Sequence, residues 1–355
     1  MANALQEIDR RLADPLAPLR GRADAVGLIG ADIPIDVLLA SGRPFGHLPW
    51  DAAAPTPWAD QWLESSFPYW ARSILELWHA GAFDGMGTVV FSRAEDASQR
   101  LYYYVRELQR RGALRGPAVA MFDVALLPRE SSLAHTTAAI AEIATALDTP
   151  VADLARGIES ANRLRGALQQ LQAGRSANGP FYERVARAAL WNDPTPWLEH
   201  VEAPRASPPT ARVLLAGSAP PDDRLHRAAE DAGASIVAEA HVHGLARLGG
   251  PLALAGDSPE RAIARRLTAT SVGPRAVRDR AQWIVQQASA ARARGVILWL
   301  TREDEALAWH VPAQRRALEA AGIPALVLPA AHWRADDGAL DRITSFCQGL
   351  RNAPA

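Results

Sequence analysis

Short apolar runs alternate with longer amphipathic stretches along most of this chain. In the first half the runs Val26–Gly30, Thr88–Ser92 and Ala118–Asp123 read as strands. Tyr69–Ala80 and a stretch from Asp96 to near Gly112 read as helices. The second half keeps the same rhythm. Its strand candidates are Arg212–Ala216, Ser235–Glu239, Gly295–Leu300 and Ala325–Leu328, with amphipathic helices at Asp222–Ala232, Arg275–Arg294 and Glu305–Ala321. Apolar strands separated by helices of ten or more residues predict an α/β fold with a parallel, doubly wound sheet in each half.

Between the halves, Ser131–Leu147 and Val151–Ala173 predict helices, with Ala139, Ile143 and Leu147 at four-residue spacing and Leu164, Leu168 and Leu171 at four and three. Pro150 opens the second of them. The expected organisation is a first α/β domain over residues 1–201 that includes a helical segment at 131–190. A Pro-rich linker at 202–210 follows, then a second α/β domain at 211–355. A free-standing helical element is the alternative for 131–190.

Composition narrows the function. The chain has 355 residues, a formal charge of −1 and 48% apolar residues, which predicts a soluble protein of two domains. Near-zero charge gives no reason to expect nucleic acid or an anionic membrane as partner. No apolar run reaches the ~20 residues of a membrane span, and Met1 to Arg20 does not build a signal peptide, so a cytoplasmic location is expected. Cys347 is the one cysteine, which excludes an internal disulfide and a cluster held by cysteines of this chain alone. The basic residues are all arginine. Schiff-base chemistry and a phosphate-loop lysine are therefore excluded, and a phosphate or carboxylate must be met by Arg or by helix N-termini.

Four groups of residues carry candidate chemistry. Glu95-Asp96 and Glu303-Asp304 each follow an apolar strand and open a helix. As paired carboxylates they suit general acid and base roles; as first-turn acids they suit the helix dipole alone. His241 and His243 follow a strand at alternate positions, so both imidazoles could reach one divalent metal, or simply end the strand. Trp50, Trp58, Trp62, Trp70 and Trp78 fit an apolar helix face or the wall of an acyl pocket. Gly217-Ser218 lies between a strand and a helix, but Asp222 and Asp223 open that helix, favouring capping over anion binding. A Gly-x-Ser-x-Gly elbow is missing, which argues against a hydrolase.

In order along the chain, several segments resemble the 2-hydroxyacyl-CoA dehydratase / benzoyl-CoA reductase family, in its smaller cluster-carrying subunit type. The run Asp32 to Gly42 resembles the family's proline-led opening helix, and Phe67 to Ser73 its Cys-x-x-x-Arg-Ser region. Thr88 to Asp96 resembles the strand leading to a Cys-Asp, and Asn162-Arg163 falls in a helix like its Asn-x-x-Arg helix. Arg212 to Ser218, Gly295 to Asp304, Ala321 to Pro324 and Asp341 to Phe346 resemble the strands and closing helix of the second domain.

The resemblance implies two flavodoxin-like domains, a [4Fe-4S] cluster, acyl-CoA as ligand and a heterodimeric assembly. At the implied ligand positions this chain has Phe67 (or Pro68), Glu95 and Glu303 in place of cysteines. Carboxylates and an aromatic ring do not replace soft thiolates, so no cluster is expected here. Two readings follow. In one, the chain is a cluster-free, acyl-CoA-binding or non-redox subunit that pairs with a Cys-bearing homologue or with itself. In the other, it is a non-radical lyase or metal-dependent enzyme using Glu95, Asp96, Glu303 and Asp304, with His241 and His243 as additional metal ligands. In both, Arg72, Arg342 and Trp70 are candidates for contacting the substrate.

Overall fold

The computed structural model describes residues 2–352, apart from 52, 174, 176, 177, 192, 199, 204–208 and 210. The described residues form two compact units, neither continuous in sequence. The first holds residues up to Ala167 with 188–200 and 248–277; the second holds 168–187, 201–247 and the chain from Arg278.

In the first unit, helix α1 (Ala2–Ala13) precedes β1 (Val26–Ile29), α2 (Ile35–Ser41), β2 (Phe45–His47), α3 (Tyr69–His79) and β3 (Thr88–Ser92). Then come α4 (Asp96–Arg110), β4 (Ala118–Phe122), α5 (Glu130–Ala146) and most of α6 (Leu154–Ala173). The sheet is all parallel, in the order β2-β1-β3-β4. One face of the sheet is covered around Trp78, Phe91 and Leu101, the other around Val90, Phe122 and Ile140. Strands wrapped on both faces must be apolar on both, which is why β1 is buried at every residue.

The second unit takes the end of α6 and the larger part of α7 (Gly179–Trp191), the short α8 (Thr195–Leu198) and the rest of α7 belonging with the first. It continues through β5 (Ala211–Gly217), α9 (Arg224–Asp231) and β6 (Ala234–Ala240). Helix α10 (Pro259–Thr270) returns to the first unit before α11 (Arg280–Ala290), β7 (Gly295–Thr301), α12 (Glu305–Ala308), α13 (Val311–Ala320), β8 (Ala325–Ala331) and α14 (Ala339–Asn352). The order β6-β5-β7-β8, again all parallel, repeats that of the first sheet. Both sheets are therefore the doubly wound α/β fold that the alternation of runs predicts.

The elements differ from the sequence reading in places with identifiable causes. β2 is three residues long and carries Gly46, so no apolar run announces it. The helix expected over Arg275–Arg294 starts only at Arg280, where the Asp279 carboxylate accepts from the Ala281 and Gln282 amides. The one expected over Glu305–Ala321 is two helices, broken at Trp309-His310 ahead of Pro312. Helix α10 was not expected, although Ser258 caps it and Pro259 opens it.

Residues 168–187 fall with the second unit, where the sequence reading groups 131–190 with the first domain. Arg175 Nη2 donates to the Ile236 carbonyl of edge strand β6 at 2.7 Å, and the Gly179 amide donates to Glu230. This segment thus covers a sheet edge that would otherwise offer unpaired backbone groups. Of the expected linker at 202–210, residues 204–208 and 210 lie outside the described residues.

Candidate functional site

In a sheet of order 2-1-3-4 the winding reverses between strands 1 and 3, and the loops leaving their carboxyl ends diverge to leave a crevice. Here that point lies between β1 and β3 in the first unit and between β5 and β7 in the second. Each of the two Glu-Asp pairs stands at one of these points.

In the first unit, β1 ends at Gly30 (φ +90°), where a Cβ would come within 2.8 Å of Ser98 Oγ. Ser98 donates to the Ile29 carbonyl at 3.1 Å, seating the first turn of α4 against β1. Glu95 is the extended residue before α4 (φ −129°), half-buried, and its side chain does not cap the helix. Asp96 is exposed in the first turn and pairs with Arg275 at 3.2 Å. Arg275 also donates to the Arg93 carbonyl at 2.9 Å, and Ser271 donates to Asp32 at 2.6 Å. Asp32 itself is left-handed (φ 63°). The segment Ser271–Arg275 therefore runs past the carboxyl ends of β1 and β3.

In the second unit, Gly217 (φ +107°) allows β5 to approach β7 so closely that a Cβ would lie 2.2 Å from the Trp299 carbonyl. Ser218 follows. Its amide donates to Trp299 at 2.7 Å and its hydroxyl accepts from the Thr301 amide at 3.0 Å. That hydroxyl also bonds the Asp304 carboxyl. Burial pushes the Asp304 carboxyl above its usual range; Ser218 opposes the rise and the Glu303 charge adds to it. Glu303 Oε2 is buried without a hydrogen-bond partner among the described residues. Ser218, Glu303 and Asp304 thus stand together where β5 and β7 end, and Asp304 holds a proton more readily than an ordinary carboxyl.

The other predicted residues are dispersed. Trp70 is half-buried at the start of α3 and packs on the first unit's core. Arg72 pairs with Asp60 and donates to the Phe67 and Glu64 carbonyls, tying down the turn before α3. Arg342, on α14, reaches Asp337 only at 3.9 Å and is half exposed. His241 is buried and His243 half-buried after β6. Among the described residues no three His, Cys, Asp or Glu side chains converge as a metal-binding group.

Sequence reasoning missed a buried cluster in the second unit. Glu239 of β6 accepts from Arg175 at 2.7 Å and contacts His226 Nε2 of α9 at 3.1 Å, with all three side chains essentially buried. The legible signal was a carboxylate inside the apolar run of β6 and a histidine beside Leu225 on the buried face of α9. Nothing marked Arg175, which lies between helices.

The positions that the family resemblance assigns to cluster ligands do not fit an iron–sulfur cluster. Phe67 is 4% exposed, with the Arg100 guanidinium 4.1 Å over its ring and Tyr104 edge-on at 5.2 Å. Glu95 and Glu303 offer hard oxygens. The sole thiol, Cys347, is buried on α14 within the second unit's core, and burial pushes its pKa up to about 11. None of the curated proteins matches this sequence. A family model for the 2-hydroxyglutaryl-CoA dehydratase D-component matches residues 32–349. That span takes in the whole second sheet, every strand of the first except β1, and both Glu-Asp pairs, and the chain belongs to the 2-hydroxyglutaryl-CoA dehydratase D-component family.

Proposed function

We propose that this dehydratase-subunit homologue binds an acyl-CoA thioester without carrying out redox chemistry, and works beside a cysteine-bearing homologous subunit. One observation carries the reading. The crevice scaffold at both strand-order reversals is kept, with its close-approach glycine and its Glu-Asp turn, while the thiolate positions hold Phe67, Glu95 and Glu303. A scaffold kept without its redox ligands supports a role in binding and positioning. With lysine missing, arginines and backbone amides would meet the ligand's phosphates.

Co-expression with a cysteine-bearing family member, followed by affinity purification, tests the pairing. The expected result is a stoichiometric complex whose iron and acid-labile sulfide belong to the partner alone. Brown, iron-containing protein purified without a partner would overturn it. Calorimetry with a short acyl-CoA tests the binding, against free CoA and the free acid.

The Ser218–Glu303–Asp304 group favours a second reading, a non-radical lyase. A carboxyl whose hold on its proton is raised by burial can donate to a leaving hydroxyl, with the adjacent Glu303 side chain placed to accept a proton. Turnover of a 2-hydroxyacyl-CoA by the iron-free chain, lost in Asp304→Asn, would select this reading. Equal turnover in that variant would remove it.

A further inference from the structure

The two units repeat one arrangement at the carboxyl edge of their sheets, and the second copy differs by one exchange. In each, an arginine directly follows a central strand and precedes the Glu-Asp pair: Arg93 after β3, Arg302 after β7. In each, that arginine reaches the residue directly after the neighbouring edge strand. Arg93 meets Asp123, which follows β4, at 2.6 Å, and His135 approaches the other oxygen of that carboxylate at 3.4 Å. Arg302 meets His332, which follows β8, and Asp336 holds the far nitrogen of the ring at 3.0 Å. The order Arg–Asp–His of the first unit is Arg–His–Asp in the second.

The exchange changes the chemistry. Arg93 meets its counter-charge directly, whereas the partner of Arg302 among the described residues is an imidazole. An ionised Asp336 only accepts, so His332 carries its proton on Nδ1, and its Nε2 accepts from Arg302. Arg302 and His332 are both exposed. The turn that carries His332 is held firmly: its amide donates to Asp337 at 3.1 Å, and Arg224 donates to the Arg334 carbonyl. Two alanines flanking it, Ala330 (φ 51°) and Ala335 (φ 55°), are left-handed, a strain that concentrates at binding and switch positions.

A guanidinium touching an imidazole that has a carboxylate behind it suits an anion that arrives with a proton. A proton from solvent enters at Nε2. The imidazolium then lies between the guest and Asp336 and donates to both, while Arg302 turns its donors from the ring to the guest. The other charges nearby do not oppose this. Glu303 is half-buried with Oε2 inside the protein, Asp222 pairs with Arg224 at 2.6 Å, and Arg342 stands 3.9 Å from Asp337. A phosphate fits better than a carboxylate, because its tetrahedral oxygens meet a planar guanidinium and a separately directed N–H at once.

We propose that Arg302 and His332, with Asp336 behind the ring, form a phosphate-binding subsite at the β7–β8 end of the second unit, filled with uptake of a proton at His332 Nε2. Its assignment to the phosphates of an acyl-CoA rests on the function proposed above; the subsite itself does not.

The test titrates the full chain with sodium sulfate against sodium chloride at matched ionic strength, sulfate being a tetrahedral dianion that takes up no proton near neutrality. The expected result is saturable binding, several-fold tighter at pH 6 than at pH 8. Arg302→Gln is expected to weaken it at least about tenfold, and His332→Asn to erase the preference for pH 6. Both positions are exposed, so both variants are expected to fold. No saturable sulfate binding, undiminished binding in Arg302→Gln, or a pH preference kept by His332→Asn would each overturn the subsite. Calorimetry with a short acyl-CoA on the same proteins separates the two readings. Sulfate bound through Arg302 with no acyl-CoA bound by the parent supports the subsite and removes the acyl-CoA reading. Acyl-CoA bound equally by parent and Arg302→Gln leaves that reading standing and overturns the subsite as the place of its phosphates.

Discussion

The ion pair between Asp36 of α2 and Arg165 of α6 gives the sharpest test of what holds the first unit together. The side chains are 2% and 0% exposed, and Arg165 Nη2 lies 2.7 Å from Asp36 Oδ2. Arg165 also donates to the Leu248 carbonyl at 3.2 Å and to Asn162 Oδ1 at 3.0 Å. Asn162 in turn holds both backbone groups of Leu252 at 2.8 Å. One guanidinium therefore joins α2, α6 and the returning segment 248–277. Close packing is enforced where α6 crosses α2, since a Cβ on Gly157 would lie 2.2 Å from the Asp36 carbonyl.

Replacing Arg165 by Met keeps the volume and removes the charge. Burial already pushes the Asp36 carboxyl up, opposed mainly by Arg165. Without that partner Asp36 keeps only the more distant Arg266, at 3.4 Å, and is expected to take up a proton. Starting from its ordinary value of 3.8, protonation at pH 7 costs at most about 4 kcal/mol relative to the parent, whose carboxyl is itself already raised. That agrees with the roughly 3–5 kcal/mol found when one member of a buried pair is removed. At pH 5 the same protonation costs about 1.6 kcal/mol. The variant's folded-state pKa is raised, so its deficit is small at low pH and grows as pH rises above 3.8.

Native-state hydrogen exchange of peptides from β1 and β3, corrected for intrinsic rates, reads this in the first unit alone. Exchange in Arg165→Met is expected to be faster than in the parent by up to about a thousandfold at pH 7, and by up to about fifteenfold at pH 5. Adding Asp36→Leu is expected to restore part of the loss, because neither member of the fully buried pair then remains, although Arg266 loses its contact with Asp36. A loss below about tenfold at pH 7, or an equal loss at both pH values, would refute the reasoning.

Three further outcomes follow from named contacts. His241 is held at about 4 by burial against an unfolded value of 6.5, so the second unit loses stability as pH falls from 6.5 towards 4. The loss approaches roughly 3 kcal/mol, and His241→Phe is expected to flatten that slope in exchange of β6 peptides. Gly217→Ala puts a methyl 2.2 Å from the Trp299 carbonyl at a φ of +107°, and is expected to lower Tm sharply or yield insoluble protein. Asp96→Ala removes an exposed pair with Arg275, so its stability is expected to stay within about 1 kcal/mol of the parent in urea unfolding.

Much of the fold was legible because it is local. Four-to-seven-residue apolar runs separated by amphipathic stretches reveal central parallel strands, and β7, buried at all seven positions, is the clearest. The Glu-Asp pairs were also legible, since a strand followed at once by a helix places its linking residues at the sheet's carboxyl edge. The missing thiolates needed only the sequence. Tertiary structure alone decided which partners those residues meet. Ser218 reaches Thr301 across 83 positions, Arg165 reaches Asp36 across 129, and Arg175 reaches Glu239 across 64. The assignment of 168–187 to one unit and of 248–277 to the other was likewise invisible, because residue spacing specifies which face of a helix is apolar but not which sheet that face will cover.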